Sequence, residues 1–320
     1  MVDSGQTHKI SVGISSCLLG EEVRYNGGHK HDNYCTTVLV RHFEFKPFCP
    51  EVAVGLGVPR QTIRLVGEPG AVRVLGTQDS TLDVTDRLSS YAESVADSVG
   101  DLRGYIFMKD SPSCGLYSAK VYSKKGAPVG KGAGIYSGRL RERFPLLPME
   151  ESGRLNDPGL RENFIARVFL YDRWFQDVAN EASAQKLIAF HSRHKYFVMS
   201  YGQKLYRETG ALVARAGCGE LQQLLADYIK KVMLGTAKPP TRKGHVNVLL
   251  HMVGYLRKTV PGGIRQDLIK AIEEYRTGQV PLAVPMKLMQ HYLDNYASDY
   301  IKQQTYLNPY PFELGLRNTI

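Results

Sequence analysis

The stretch HKISVGISSCLLGEEVRYNGG, residues 8–28, opens with an apolar run rich in β-branched residues and stops it at Cys17. Glycine, arginine and tyrosine follow at once. Such a run reads as a buried strand, and the C-terminal tip of a strand is where an open parallel sheet places its ligands. The design recurs twice. HFEFKPF (42–48) alternates as a short strand and ends at Cys49, and LRGYIFMKD (102–110) runs into KDSPSCG and Cys114. Between these two, DVTDRLSSYAESVADSVG (83–100) carries helical periodicity, with Asp83 or Thr85 as cap and Gly100 as stop. The glycine-rich turn GAPVGKGAGIYSG (126–138) leads into a short helix, and FPLLPM (144–149) offers a fourth strand. Helices alternating with apolar strands predict an α/β fold on a mostly parallel, Rossmann-like sheet.

A helix is expected over 157–183, with Asp157 as cap, Pro158 in its first turn, and Phe164, Val168, Tyr171 and Phe175 as the face that closes the first domain. From about 185 strand signals stop. Five segments of helical period, separated by PPTRKG, PGG and VPLAVP, predict an all-α C-terminal domain. The expected domains are therefore 1–183 and 184–320.

With 320 residues the chain suits two domains. No apolar run reaches the ~18 residues of a membrane span, and the N-terminal residues lack a signal-peptide core. A cytoplasmic protein with reduced thiols is expected. The oligomeric state is not legible. The net charge of +10 is uneven: residues 185–320 hold 19 Lys+Arg against 9 Asp+Glu, while the rest is balanced. A solubilising surface explains this, and so does a polyanionic partner such as nucleic acid.

Five scattered cysteines, Cys17, Cys35, Cys49, Cys114 and Cys218, do not make a disulfide framework. Three of them sit at strand ends that a parallel sheet brings to one rim. They could hold an iron–sulfur cluster with one iron open, or zinc with His29 or His31 as fourth ligand, or be unrelated small core residues. Glu51, two after Cys49, and Ser111, three before Cys114, are the carboxylate and hydroxyl that metal-assisted hydrolysis uses. Read alone, each is better explained as an ordinary surface or turn residue.

Taken together, SSCLLGEEVRYNGG, FCPEVAVGLGVPR and KDSPSCG, supported by GKGAGIYSGRLRERFP and LPMEESGRLNDPGLRENF, resemble the thiouracil desulfurase (TudS-like) family over residues 8–180. The resemblance implies a [4Fe-4S] cluster on Cys17, Cys49 and Cys114 with an open fourth iron. Glu51 and Ser111 take the catalytic places. The implied reaction is hydrolytic loss of sulfur from a thiolated pyrimidine. Cys35 and Cys218 match nothing in the motif and read as structural.

The helical block, with LIAFHSRHKYFVMSYGQKLYRETG, TRKGHVNVLLHMVGYLRK and YLNPYPFELGLRN, resembles a domain of unknown function often fused to this desulfurase. Such fusions are similar to the desulfidases of 4-thiouridine in tRNA, which implies tRNA as partner. Basic and aromatic residues interleave there as phosphate and base contacts would require. Arg193, Lys195, Arg242, Lys243, Arg257 and Lys258 are the RNA-binding candidates, although many of the aromatics and histidines suit a helix core. GKGAG (130–134) lacks the spacing of a nucleotide-hydrolase P-loop, leaving an anion nest at a helix start. A desulfurase of free thiouracil or thiouridine nucleotides, and a non-catalytic metal-containing RNA-binding module, are the other functions the sequence allows.

Overall fold

The computed structural model describes residues 9–68 and 71–320. Two compact units divide at Asn156/Asp157.

In the first unit, strands β1 (Ile10–Ser15), β2 (Phe43–Phe48), β5 (Gly104–Phe107) and β8 (Met149–Glu151) form an all-parallel sheet in the order β2-β1-β5-β8. Ile10, Val12, Ile14, Phe43, Tyr105, Ile106 and Phe107 are buried in it, the near-continuous apolar pattern of strands covered on both faces. How closely these strands and side chains fit shows at Gly13. A Cβ there would lie 2.4 Å from the Tyr105 ring, and that ring is already stacked on Phe107 at 4.0 Å.

A second sheet was not legible in the sequence. It consists of β3 (Ile63–Glu68), β4 (Ala71–Gly76), β6 (Ala119–Tyr122) and β7 (Pro128–Gly132), in the order β4-β3-β6-β7, with antiparallel outer pairs. Leu65, Val74, Ala119 and Val121 of this sheet bury themselves against Val84 and Leu88. The turn expected at 126–138 is thus partly strand β7. The fourth strand of the parallel sheet starts only at Met149, five residues after the start of the apolar run.

Helix α1 (Pro50–Ala53) follows Cys49. Helices α2 (Thr85–Ser94), α3 (Ala96–Gly100) and α4 (Ile135–Arg143) complete the unit. The Asp83 carboxylate accepts from Thr85 N at 3.0 Å, while the Thr85 hydroxyl accepts from Val74 N of β4 at 2.7 Å, so Thr85 ties helix to sheet and does not cap.

The second unit is helical: α5 (Pro158–Trp174), α6 (Ala184–Ser200), α7 (Gln203–Val213), α8 (Leu221–Gly235), α9 (Arg242–Tyr255), α10 (Gly262–Thr277), α11 (Ala283–Tyr296) and α12 (Asp299–Lys302). Asp157 caps α5 through Leu160 N, with Pro158 in the first turn as expected. Yet α5 belongs here and not to the first domain. Its polar residues are buried on this side: Glu162 accepts from Arg317 (3.1 Å) and Tyr310 (3.0 Å), Asn163 donates to Thr236 O, and Arg167 to Met233 O. A buried carboxylate needs such partners, and they come from the last third of the chain. That moves the division from the expected 183/184 to 156/157. Helix α7, absent from the five expected, is parted from α6 only by Tyr201 and Gly202 (φ 131°). Among the described residues no helix is long and apolar enough to cross a membrane.

Candidate active site

Three parallel strands deliver the three thiols to one rim. Cys17 follows β1 in a 3₁₀ turn, Ser16–Leu19, closed by Gly20 at φ 95°. Cys49 follows β2 and starts α1, with Pro50 in the first turn. The pairing of Ser15 with Phe48 puts these two exits side by side. Cys114 lies in the loop after β5. All three line one cleft of about 370 Å³ together with Arg24, Tyr25, Lys30, Glu51, Arg60, Lys109, Asp110 and Ser111.

Burial pushes the Cys17 thiol up to about 11, against a smaller opposing pull from Arg24. Burial likewise raises Cys49 and holds Cys114 well above the ordinary thiol range. Each of the three is further raised by a negative charge on another member of the trio or on Glu51. Buried thiols that would repel one another as thiolates are a donor set suited to a cationic centre, which deprotonates coordinating thiols outright. Among the described residues, no three His, Cys, Asp or Glu side chains gather tightly enough for one metal ion. Zinc–sulfur bonds of about 2.3 Å would draw tetrahedral thiolates to within about 4 Å of one another. His29 and His31 do not line the cleft. Three thiols lining one cleft, with no imidazole among its lining residues, are a donor set of the kind iron–sulfur clusters use.

Glu51 is held on both oxygens. Oε2 accepts from Arg60 Nη2 (2.7 Å) and Nε (3.1 Å), two charge-assisted donors converging on one oxygen. Oε1 accepts from Ser113 Oγ at 2.9 Å and faces Ser111 Oγ at 3.5 Å. The side chains of Glu51 and Arg60 are 16% and 5% exposed, so the pair is largely shielded. Arg60 also donates to Val23 O, and its backbone N–H to Tyr25 O, tying the 23–25 loop to the same point. Ser111 Oγ accepts from the N–H groups of Ser113 and Cys114, at 3.2 and 3.0 Å, which shapes the turn that presents Cys114. The sequence reading missed Arg60 and Ser113. Arg60 lies nine residues from Glu51 across a loop, and Ser113 is one serine in a turn of serines and prolines.

The turn carrying Cys114 is clamped from two sides. The buried Glu151 carboxylate accepts from Tyr117 N, Ser118 N and Ser118 Oγ at 2.8–3.0 Å, and Ser118 Oγ in turn accepts from Asp110 N. At the start of α4, Gly134 N, Ile135 N and Ser137 N donate to the carbonyls of Gly115, Pro112 and Ser113. The helix-terminal donors that an anion would need are spent on this loop, which corrects the anion-nest reading of GKGAG.

In the helical unit, Arg193 pairs with Asp177 at 2.9 Å. Arg242 donates to Tyr275 O and lies 4.6 Å from the Tyr275 ring centroid. Both arginines thus make internal contacts, while Arg242 is exposed and Arg193 partly so. Lys195 lies over the rings of Tyr196 and Tyr300, whereas Lys243, Arg257 and Lys258 are exposed. His194 and His245 are buried core groups, bonded to Phe190 O and Tyr306 OH. Cys35 is buried and Cys218 exposed, and neither lines the cleft.

Residues 12–152 match the family described as 2-thiouracil desulfurase, and residues 195–311 match DUF1722, a protein domain of unknown function. The chain is a TudS-like fusion of a 2-thiouracil desulfurase domain with a DUF1722 domain. It is 31% identical over 134 residues to the uncharacterised protein YbgA of Escherichia coli (strain K12), covering 42% of this chain and 79% of that one. It is 29% identical over 138 residues to the uncharacterised protein YbbK of Bacillus subtilis (strain 168), covering 40% and 88%. A solved structure described as the [4Fe-4S]-dependent thiouracil desulfidase TudS shares 30% identity, with 46% of this chain and 94% of that chain covered and a TM-score of 0.37. The cleft lies within the desulfurase domain.

Proposed function

We propose that this TudS-like fusion is a hydrolytic desulfidase of thiolated pyrimidines, with 4-thiouridine in tRNA as its substrate and uridine and hydrosulfide as products. The observation that carries the reading is one cleft, within a 2-thiouracil desulfurase domain, that gathers three strand-end thiols, a fixed carboxylate and the Ser111 hydroxyl. In the proposal Cys17, Cys49 and Cys114 hold a [4Fe-4S] cluster with one open iron. When bound, that cluster supplies a soft Lewis acid that matches a thiocarbonyl sulfur and makes the adjacent ring carbon electrophilic.

The chain's own residues do the rest. Arg60 keeps one Glu51 oxygen occupied, so the other is aimed at the serine side of the cleft. There Glu51 orients a water and takes its proton as the water oxygen adds to the ring carbon. Ser111 steadies the Cys114 turn through its oxygen and offers its hydroxyl proton to the carboxylate or the departing sulfur. The basic excess of residues 185–320 favours a polyanionic substrate over a free base, with Arg193, Lys195, Arg242, Lys243, Arg257 and Lys258 as contacts. The proposal places the enzyme in the cytoplasm, where thiols stay reduced.

The test is anaerobic reconstitution followed by sulfide release from tRNA containing 4-thiouridine and from free thiouracil. Preference for the tRNA supports the full reading. Turnover of thiouracil alone reduces the enzyme to a free-base desulfurase. No sulfide from either, with only zinc bound, leaves the RNA-binding module.

A further inference from the structure

On the desulfurase domain, the loop that presents Cys114 continues into Tyr117, a residue 45% exposed. Two guanidinium groups lie over that ring: Arg154 at 5.1 Å and Arg141 at 5.8 Å from its centroid. They come from different elements. Arg141 stands on α4, and Arg154 follows β8. Lys109, which lines the cleft, lies against this edge, since a Cβ on Gly153 would meet its side chain at 2.5 Å. Three cations therefore run from the cleft outward along one rim.

Arg154 is ion-paired with Glu150, while the acids around Arg141 are engaged elsewhere. Glu150 accepts from Arg154 Nε at 2.7 Å, but it is buried and spends the same oxygen on Glu151 N. Glu151 is committed to the 117–118 backbone and Ser118. Glu142 pairs with Arg139. Arg141 makes one long hydrogen bond, 3.5 Å to Leu116 O. Arginines braced on an aromatic ring lose less freedom on binding and keep N–H donors outward, a geometry suited to phosphate oxygens.

We infer that this rim, Lys109, Arg154, Tyr117 and Arg141, binds the phosphate backbone of a polynucleotide beside the nucleotide whose base enters the cleft. A free base would gain nothing from cations set outside its pocket. A strand whose base is drawn out presents its flanking phosphates there. The inference rests on the desulfidase reading for the identity of the base alone. Binding along the rim stands or falls separately.

The full-length protein is titrated with an unmodified tRNA transcript and with uridine 5′-monophosphate over a series of salt concentrations, for wild type, Arg141→Gln, Arg154→Gln and the double variant. Each lost phosphate contact should lower the log K–log salt slope by about 0.7–0.9 and weaken tRNA binding roughly fivefold to tenfold near 0.1 M salt. Mononucleotide affinity should change far less. Should Arg154→Gln unfold because Glu150 loses its partner, Arg141→Gln alone decides. An unchanged slope and affinity for tRNA would overturn the inference. Equal losses for tRNA and mononucleotide would also overturn it, assigning the rim to a single nucleotide. Wild type that binds tRNA with the expected slope but releases no sulfide from any thiolated substrate would refute the desulfidase reading and leave the rim intact.

Discussion

Gly134 is the position where a single methyl group should separate the cleft's geometry from its chemistry. It opens α4 with its Cα against the loop that presents Cys114. A Cβ there would lie 2.4 Å from Ser113 O, 2.5 Å from Ser113 C and 2.8 Å from Pro112 O. Carbon–oxygen contacts settle at about 3.3–3.6 Å, so in Gly134→Ala the loop must retreat by about 1 Å. The obstacle is backbone, which has no rotamer to turn away. Overpacking of this kind costs about 1–3 kcal/mol. The three hydrogen bonds from Gly134, Ile135 and Ser137 to that loop would weaken together, each worth about 1 kcal/mol. A total near 4 kcal/mol corresponds to a Tm lower by about 10 °C. A 1 Å displacement of a catalytic geometry costs about 10²-fold in rate. The assay is iron and acid-labile sulfide content after reconstitution, thermal unfolding by circular dichroism, and sulfide release. Gly132→Ala, two residues earlier, is the control, because its Cβ would meet Val121 at an ordinary 3.5 Å. If Gly134→Ala matched Gly132→Ala in all three measurements, the claim that α4 sets the Cys114 loop would be refuted.

Alanine at Cys17, Cys49 or Cys114 should each abolish iron binding and turnover together, while Cys218→Ser keeps both; retained iron in any of the three would remove that residue from the ligand set. Glu51→Gln should keep the iron and lose about 10²–10⁴-fold in turnover, and Arg60→Met, which frees Glu51 Oε2, should lose a comparable share; full activity in Glu51→Gln would exclude its proton role. Gly13→Ala should destabilise the parallel sheet by about 1–3 kcal/mol, read as a lower unfolding midpoint, because Tyr105 is locked between its neighbours. The helical unit should be acid-sensitive. Burial holds His194 and His245 near 3 against an ordinary 6.5, so the unfolded state binds more protons below 6.5. Stability is complete above pH 6.5 and falls as pH drops toward 3. By pH 4.5 the loss is about 2.5 kcal/mol per histidine. Helical circular dichroism under mild denaturant that was identical at pH 7 and 4.5 would contradict two neutral buried imidazoles.

Much of the site is written locally. Apolar β-branched runs that end in cysteine declare themselves as strands with thiols at their tips, and parallel pairing then brings Cys17, Cys49 and Cys114 to one rim. Asp157–Pro158 declares a helix start by side-chain and ring chemistry alone. The tertiary structure decided the rest. The second sheet escaped because its strands are only partly buried and carry no continuous apolar run, and β7, PVGKG, reads as a turn until it pairs with β6. The place of α5 was set by Glu162 and Asn163, whose partners Tyr310, Arg317 and Thr236 lie more than 70 residues away. Charge spacing marked Arg193 and Arg242 as phosphate candidates, and it carried no sign of their contacts to Asp177 and Tyr275. Periodicity and capping report only on neighbours within a few residues. Which carboxylate meets Arg60, which helix seats the Cys114 loop and which arginines face solvent depend on long-range contacts, and no local pattern records them.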